Sequence, residues 1–350
     1  MKMLNQRRIF AGIAGVAAGI TLVSACTSGA STNAAGTQTT QTVTIVADTP
    51  SIFLTDFYIA QQKGLFAKQH LDVKLTYAQN PEAVNVSGRA QLMYETVLTA
   101  LEAIQQGLGL KATMTVQVDT LPILLANKSV SSLAQLESMS NCRIGTTAPG
   151  NTVYGYAAYW IKLLKLKCSL AIAASVPTMV TGAVSGAYQA VVTTPQYGPE
   201  TASQGTHVLL NPLNIASNGT PSVSQAFISK YALPKAITTA IWGQSSYISK
   251  NQNVVNGLTA ALAAAQQERK TMSFDQLADL LAKANPGEFA PSVDPHASLV
   301  RSLQYGIAPV VEEPIAQSLW TSSLKSYTYY GAQNYSADNP LFTFSKVVSN

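Results

Sequence analysis

From Thr42 onward the spacing of apolar residues changes repeatedly, and each change marks an element. Thr42-Val43-Thr44-Ile45-Val46-Ala47 is a short run rich in β-branched residues, which predicts a buried strand. Asp48-Thr49-Pro50-Ser51 breaks it. Phe53 to Gln62 carries apolar residues at helical spacing and stops at Gly64. Leu71 to Tyr77 alternates apolar and polar positions, as a half-buried strand does. Ala90–Tyr94 predicts a third strand, Thr96–Gln106 a helix closed by Gly107, and Lys111–Val118 and Leu121–Ala126 two more strands. Such a strand–helix–strand rhythm implies parallel strands joined by right-handed crossovers.

The rhythm restarts at Arg143. Arg143–Thr147 predicts a strand, Ala148-Pro149-Gly150-Asn151 a turn, and Thr152–Leu166 a helix. Strands follow at Ala171–Val176, Ala190–Thr193 and His207–Leu210, with a helix at Thr178–Ser185 closed by Gly186. A restart of this kind predicts a second lobe. From about Ser222 the pattern becomes mainly helical, with helices expected at Pro234–Ile241, Ser246–Lys270, Ser273–Ala284, Ala297–Tyr305 and Glu313–Tyr330. No repeat of fixed period is present.

Ahead of Thr42 the pattern is that of a leader. Lys2, Arg7 and Arg8 precede an apolar stretch from Ile9 to Val23, which is shorter than the roughly 20 residues a membrane span needs. It ends in Leu22-Val23-Ser24-Ala25-Cys26, which resembles the bacterial lipobox. The resemblance implies that residues 1–25 are a lipoprotein signal peptide, and that Cys26 is acylated and anchors the exported chain to the outer face of the cell membrane. An ordinary signal peptide with a chance cysteine is the competing reading. Arg7-Arg8-Ile9-Phe10 also resembles a twin-arginine signal, so the export route stays open. Residue 27 is Thr, not the Asp that typically retains lipoproteins at the inner membrane, which leans toward a single-membrane host or leaves the destination open, on the periplasmic side in a two-membrane host. Thr27 to Gln41 holds neither aromatic nor charged residues and reads as a flexible tether, residues 26–41.

Composition narrows the partners. A body of about 310 residues is long for one core and suits two lobes. The net charge of +5 owes much to the leader: without Lys2, Arg7 and Arg8 the balance is 19 basic to 17 acidic residues. No Lys/Arg run occurs, which disfavours nucleic acid. Cys142 and Cys168 flank the predicted strand and helix of 143–166, which returns both to one end of the lobe. In an exported protein they either pair as a disulfide or remain two buried thiols.

Four segments carry a resemblance. Asp56-Phe57-Tyr58-Ile59-Ala60-Gln61-Gln62-Lys63-Gly64-Leu65-Phe66-Ala67-Lys68-Gln69-His70-Leu71-Asp72-Val73 resembles the opening signature of nitrate/sulfonate/taurine-type substrate-binding proteins of ABC importers, shared by the thiamine-pyrimidine-precursor binders. Gly88 to Tyr94, Val130 to Leu136 and Tyr188 to Pro195 are similar to later segments of that family, with Gln91 and Gln189 where the family has Asp. His70 stands where the family has Gly. A left-handed turn is harder for His, so a different local backbone is expected there. The resemblance implies an α/β fold of two lobes, the periplasmic-binding-protein fold of the second type. Lobe I would comprise residues 42–124 and 222–350 and lobe II residues 125–221, with hinge segments near Thr120–Leu124 and Ser222–Gln225. It further implies a monomer that captures a small molecule and delivers it to a membrane permease, with no cofactor, no metal and no catalysis.

Ligands of open α/β sheets bind at the carboxyl ends of strands. Those ends supply Ser51, Phe53, Tyr94 and Glu95 in lobe I, and Gly150, Asn151, Thr152, Thr194, Gln196 and Tyr197 in lobe II. The turn Gly150-Asn151-Thr152 opens a helix whose free N–H groups suit an anionic or strongly polar group. Phe53, Tyr94 and Tyr197 offer flat walls. Each has a second reading: Asn151 or Thr152 as a helix cap, Phe53 as core, Glu95 as a solvent-facing carboxylate at a helix start. In a cleft, Glu95 would repel nitrate or a sulfonate and suit a neutral or amine-bearing molecule, such as a pyrimidine.

Enzyme readings are weaker. His70, His207 and His296 lack metal-ligand spacing, and no His-Glu-x-x-His, Cys-x-x-Cys, P-loop or Gly-x-Ser-x-Gly occurs. Ser322-Ser323-Leu324-Lys325 matches Ser-x-x-Lys without the partner motifs of penicillin-interacting enzymes. A eukaryotic pyrimidine synthase shares the family's fold, but its cysteine-rich motif is missing here. An exported ligand-binding sensor remains the alternative outside transport.

Overall fold

The computed structural model describes residues 39–118, 121–216, 221–285, 294–306 and 317–331. The leader, Cys26 and nearly all of the tether lie outside the described residues, as do Thr120 of the first hinge segment and residues 313–316 of the last expected helix.

The first stretch runs β1 (Gln41–Ala47), α1 (Thr55–Gln62), α2 (Leu65–Lys68), β2 (Leu71–Tyr77), α3 (Pro81–Val86), β3 (Leu92–Thr96), α4 (Val97–Gln105) and β4 (Leu110–Val118). β1 lies parallel to β2 and β3 and buries Val43, Ile45, Val46 and Ala47. Between α2 and β2 the chain turns at His70, whose φ of 56° is left-handed. The expectation of a different backbone there is not met. The turn is held on both sides, because His70 N–H donates to Ala67 O at 2.9 Å and Gln41 N–H donates to His70 O at 2.9 Å.

The second stretch runs β5 (Ile123–Ala126), α5 (Leu133–Ser138), β6 (Cys142–Thr146), α6 (Thr152–Leu163), β7 (Cys168–Ile172), α7 (Val176–Ser185), β8 (Ala190–Thr193), α8 (Tyr197–Thr201) and β9 (His207–Leu210). The strand expected at Ala171–Val176 starts three residues earlier. α6 stops at Leu163, Lys165 turns the chain at φ 53°, and Cys168 then falls in register opposite Cys142. The two cysteines form a disulfide between adjacent parallel strands, with Cα atoms 4.3 Å apart. Ser175 caps α7 by accepting from Thr178 N–H, so the residues after Ile172 lead into a helix and not a longer strand.

The third stretch begins with a small hairpin, β10 (Leu213–Ile215) and β11 (Pro221–Val223). It continues with α9 (Gln225–Tyr231), β12 (Ile237–Gln244), α10 (Ser245–Lys250), α11 (Gln252–Thr271), α12 (Phe274–Ala284), α13 (Pro295–Gly306) and α14 (Gln317–Tyr327). The helix expected at Pro234–Ile241 is a correction: β12 occupies that segment. It lies between two strands and is covered on both faces, so its apolar residues run together without alternating and mimic a helical pattern. Its β-branched Ile237, Thr238, Thr239 and Ile241 suit a pleated strand. The long helix expected from Ser246 is divided at Asn251 into α10 and α11.

Two five-stranded sheets result, ordered β2-β1-β3-β12-β4 and β7-β6-β8-β5-β9. They share one plan. Three strands are parallel, and the fourth position is taken by an antiparallel strand arriving from elsewhere in the chain, β12 in one sheet and β5 in the other. The chain therefore passes between the sheets before β5 and again before β12. In lobe I, α1 is fixed on α11 by a partly buried ion pair, Arg269 Nε to Asp56 Oδ1 at 2.9 Å.

α14 joins the lobes. Ser323 Oγ accepts from Ile237 N–H at 2.9 Å, and Tyr327 donates to Ile237 O, which ties the helix to β12. At its far end Gly150 N–H donates to Tyr330 O at 2.7 Å, and the Tyr329 ring meets the Tyr159 ring of α6 edge-on at 5.1 Å. One apolar cluster is continuous through Trp242, Tyr327, Tyr330, Tyr156 and Trp160. Among the described residues no helix is long and apolar enough to cross a membrane.

Candidate functional site

The strand ends of both sheets converge on a cavity of about 390 Å³. Lobe I contributes the segment after β1. Asp48 accepts from Thr49 N–H at 2.6 Å through its carboxylate, and Ser51 Oγ accepts from Phe53 N–H at 3.2 Å to start a 3-10 turn at Ile52–Leu54. This short turn replaces the first residues of the helix expected at Phe53 and presents Ser51 and Phe53 to the cavity.

The end of β3 contributes Tyr94, Glu95 and Thr96. Tyr94 is buried and stands edge-on to Phe57 at 6.3 Å. Thr96 caps α4, its Oγ1 accepting from Thr99 N–H at 3.3 Å. Glu95 Oε1 accepts from Thr96 N–H at 2.6 Å, and its backbone carbonyl accepts from Trp242 Nε1 at 3.2 Å. Burial pushes the Glu95 carboxyl up to about 7; Glu82 and Asp48 add to the rise, and the Thr96 N–H opposes it.

Lobe II contributes Thr147, Gly150, Asn151, Thr152, Val153, Val176 and Thr194. Asn151 is the helix cap: its Oδ1 accepts from Tyr154 N–H at 3.1 Å and from Thr147 Oγ1 at 2.8 Å, while its Nδ2 donates to Ala148 O at 3.0 Å. It therefore caps α6 and lines the cavity at once. Gly150 sits at φ 104°, a conformation glycine adopts freely.

Eight of the ten expected site residues line this cavity. Gln196 and Tyr197 are not among the residues that line it. α8 starts at Tyr197, with Gln196 at its N-terminal boundary. Gln196 faces Gly306 of α13, and Tyr197 packs against the apolar cluster of Ile123, Leu125 and Val191. The sequence reading missed Ile237, Thr238 and Thr239 at the start of β12, and Tyr327 and Tyr330 at the end of α14. The aromatic run Tyr327-Thr328-Tyr329-Tyr330 was the available signal for the last two.

The lining is rich in hydroxyls and aromatic rings. Among the described residues that line it there is no Lys, Arg or His, and the charged members are Asp48 and Glu95. Among the described residues no group of three or more His, Cys, Asp or Glu is placed to hold a metal ion.

A family model described as NMT1/THI5 like matches residues 53–158, which include α1, β3, α4 and the Asn151 cap. No curated protein sequence matches the chain significantly. Solved structures match over most of its length. A Candida albicans gene product, described as having the generic periplasmic binding protein fold, is 11% identical, with a TM-score of 0.55, covering 85% of this chain and 92% of its own. This chain has the periplasmic-binding-protein fold. Two further structures with this fold are similar. The zinc-bound ligand-binding component of an ABC-type import system from Staphylococcus aureus is 13% identical, with a TM-score of 0.60, over 83% of this chain and 92% of that one. The periplasmic aliphatic sulphonate binding protein of Escherichia coli is 13% identical, with a TM-score of 0.58, over 83% and 86%. The periplasmic-binding-protein fold places strand ends from two sheets around one cleft, which is the arrangement seen here.

Proposed function

We propose that this chain is the extracytoplasmic solute-binding component of an ABC importer. One observation carries the reading: a cavity lined from both lobes, at the carboxyl ends of β1, β3, β6 and β8, in a fold whose similar solved structures include import components. A ligand held by Tyr94 and Glu95 on one side and Asn151 and Thr194 on the other favours the arrangement in which the lobes are together. Binding and closure are then one equilibrium, read by the permease. The closed form is the signal, so affinity for both lobes is the functional quantity.

The leader and Cys26 supply the rest of this reading. Acylation at Cys26 would hold the body near its permease, and Thr27–Gln41 would give it reach as a flexible linker. The Cys142–Cys168 disulfide suits an oxidising exterior compartment. We propose a monomer that delivers its ligand unchanged.

Two experiments test this. The full chain, in detergent, is screened by thermal shift against sulfonates, nitrate, taurine, aromatic acids, amines and pyrimidines, and a bound solute raises the melting temperature by mass action. Metabolic labelling with an alkyne-bearing palmitate is expected to mark the wild type and not Cys26→Ala. Recovery of a chemically converted solute would end the importer reading, and unlabelled wild type would end the anchor.

A further inference from the structure

We infer that the ligand of this cleft is a small organic cation, its positive nitrogen set against Glu95 and its body held among aromatic side chains. This rests on the solute-capture reading and names the charge class of the solute.

The cavity's composition carries the argument. Phe53, Tyr94, Tyr327 and Tyr330 line it, and the charged lining residues are both acidic. An anion entering here would meet two carboxylates and, among the described lining residues, no cationic side chain, so a sulfonate or nitrate is opposed at the mouth and in the interior. A cation is favoured at both. Asp48 lies exposed at the opening, where it raises the local concentration of cations. Glu95 lies deeper, beside Tyr94, at the junction of β3 and α4. Aromatic faces attract a desolvated cation as well, so rings and carboxylate act together.

Glu95 is also under-compensated. Among the described residues, the groups that face it with charge are Glu82 from α3 and Asp48 from the segment after β1, both acidic. β12 offers it the Trp242 N–H, but to the backbone carbonyl and not the carboxylate. Thr96 is the donor that reaches the carboxylate. A half-buried, desolvated carboxylate with so little support is stabilised by a ligand that brings the missing positive charge. The same logic gives the binding a pH sign. With the free-state carboxyl titrating near pH 7, a cation must displace its proton at lower pH.

The experiment uses the full chain and two probe series, each with one body and three head groups. These are benzylammonium, benzyl alcohol and phenylmethanesulfonate, and butylammonium, butanol and butanesulfonate. Calorimetric affinities are taken at pH 6 and pH 8, where the head groups keep their charge. The expected result is that at least one ammonium probe binds, at least tenfold more tightly than its sulfonate partner. Its affinity should weaken by about tenfold from pH 8 to pH 6. Glu95→Gln should remove both the charge preference and the pH dependence.

A sulfonate or alcohol bound more tightly than its ammonium partner overturns the inference, as does an ammonium affinity that rises toward pH 6 or the absence of any ammonium binding. Binding of a sulfonate or alcohol, returned unchanged, leaves the capture reading standing. Conversion of any probe into product removes the capture reading instead.

Discussion

Gly155 and Tyr330 share one space: the Tyr330 ring lies where a side chain on Gly155 would begin. Gly155 belongs to α6 of lobe II, and Tyr330 lies three residues past α14, which is tied to β12 of lobe I. Glycine is required here for close approach of a ring. Gly155→Ala is expected to push Tyr330 outward and to cost about 1–3 kcal/mol by overpacking. Urea unfolding checks the stability, and solute affinity should fall as well, since Tyr330 lines the cavity. Unchanged stability and affinity would show that α6 and the turn after α14 do not meet this closely.

Glu95 should make stability depend on pH with a defined sign. Its folded carboxyl, near 7, lies above its ordinary value of 4.5. The folded chain thus holds this proton more tightly than the unfolded chain. Glu95 favours folding at low pH relative to high pH, and its cost grows between about pH 4.5 and 7 before levelling. The full effect is on the order of 3 kcal/mol. Glu95→Gln is expected to raise the melting temperature at pH 8 and to change it little at pH 4.5. Equal shifts at both values would contradict the desolvated carboxylate.

The disulfide closes a loop with a sequence separation of 26 residues. Its loss, by reduction or by Cys142→Ala with Cys168→Ala, is expected to cost about 3 kcal/mol through the entropy of the unfolded chain. Denaturant midpoints with and without reductant measure this. The β6–β7 pairing should survive, because five residue pairs hold that register without the sulfurs.

His70 holds a left-handed conformation that costs a side-chain-bearing residue about 1–2 kcal/mol relative to glycine. His70→Gly is expected to stabilise the chain by about 0.5–1 kcal/mol, the remainder being offset by the freer unfolded backbone. The melting temperature should rise by a small, measurable amount. A fall would mean that the imidazole makes a stabilising contact that outweighs the strain.

Much of the site was legible because it sits at the ends of parallel strands. Ser51 and Thr194 each lie just past a short β-rich run beside a proline, and Tyr94 and Glu95 stand in the last residues of a strand that runs into a helix, which places all four at the carboxyl edge of a sheet. The wall from β12 and α14 was not legible in the same way. Ile237 to Gln244 is covered on both faces, which erases the period of two that identifies a strand. Tyr330 reaches the cavity because Gly155, far away in sequence, leaves room for it, and no local pattern encodes that. Gln196 and Tyr197 show the opposite limit. They follow β8 by three and four residues, where α8 has begun, and they are not among the lining residues.

The most direct test of the account is calorimetric binding of the best solute from the screen to wild type, Tyr94→Ala and Thr194→Val. The first removes a lining ring and the second a lining hydroxyl, one from each lobe. The account predicts that each weakens binding at least tenfold and that the solute is recovered unchanged. Full affinity in either variant would contradict capture between the lobes.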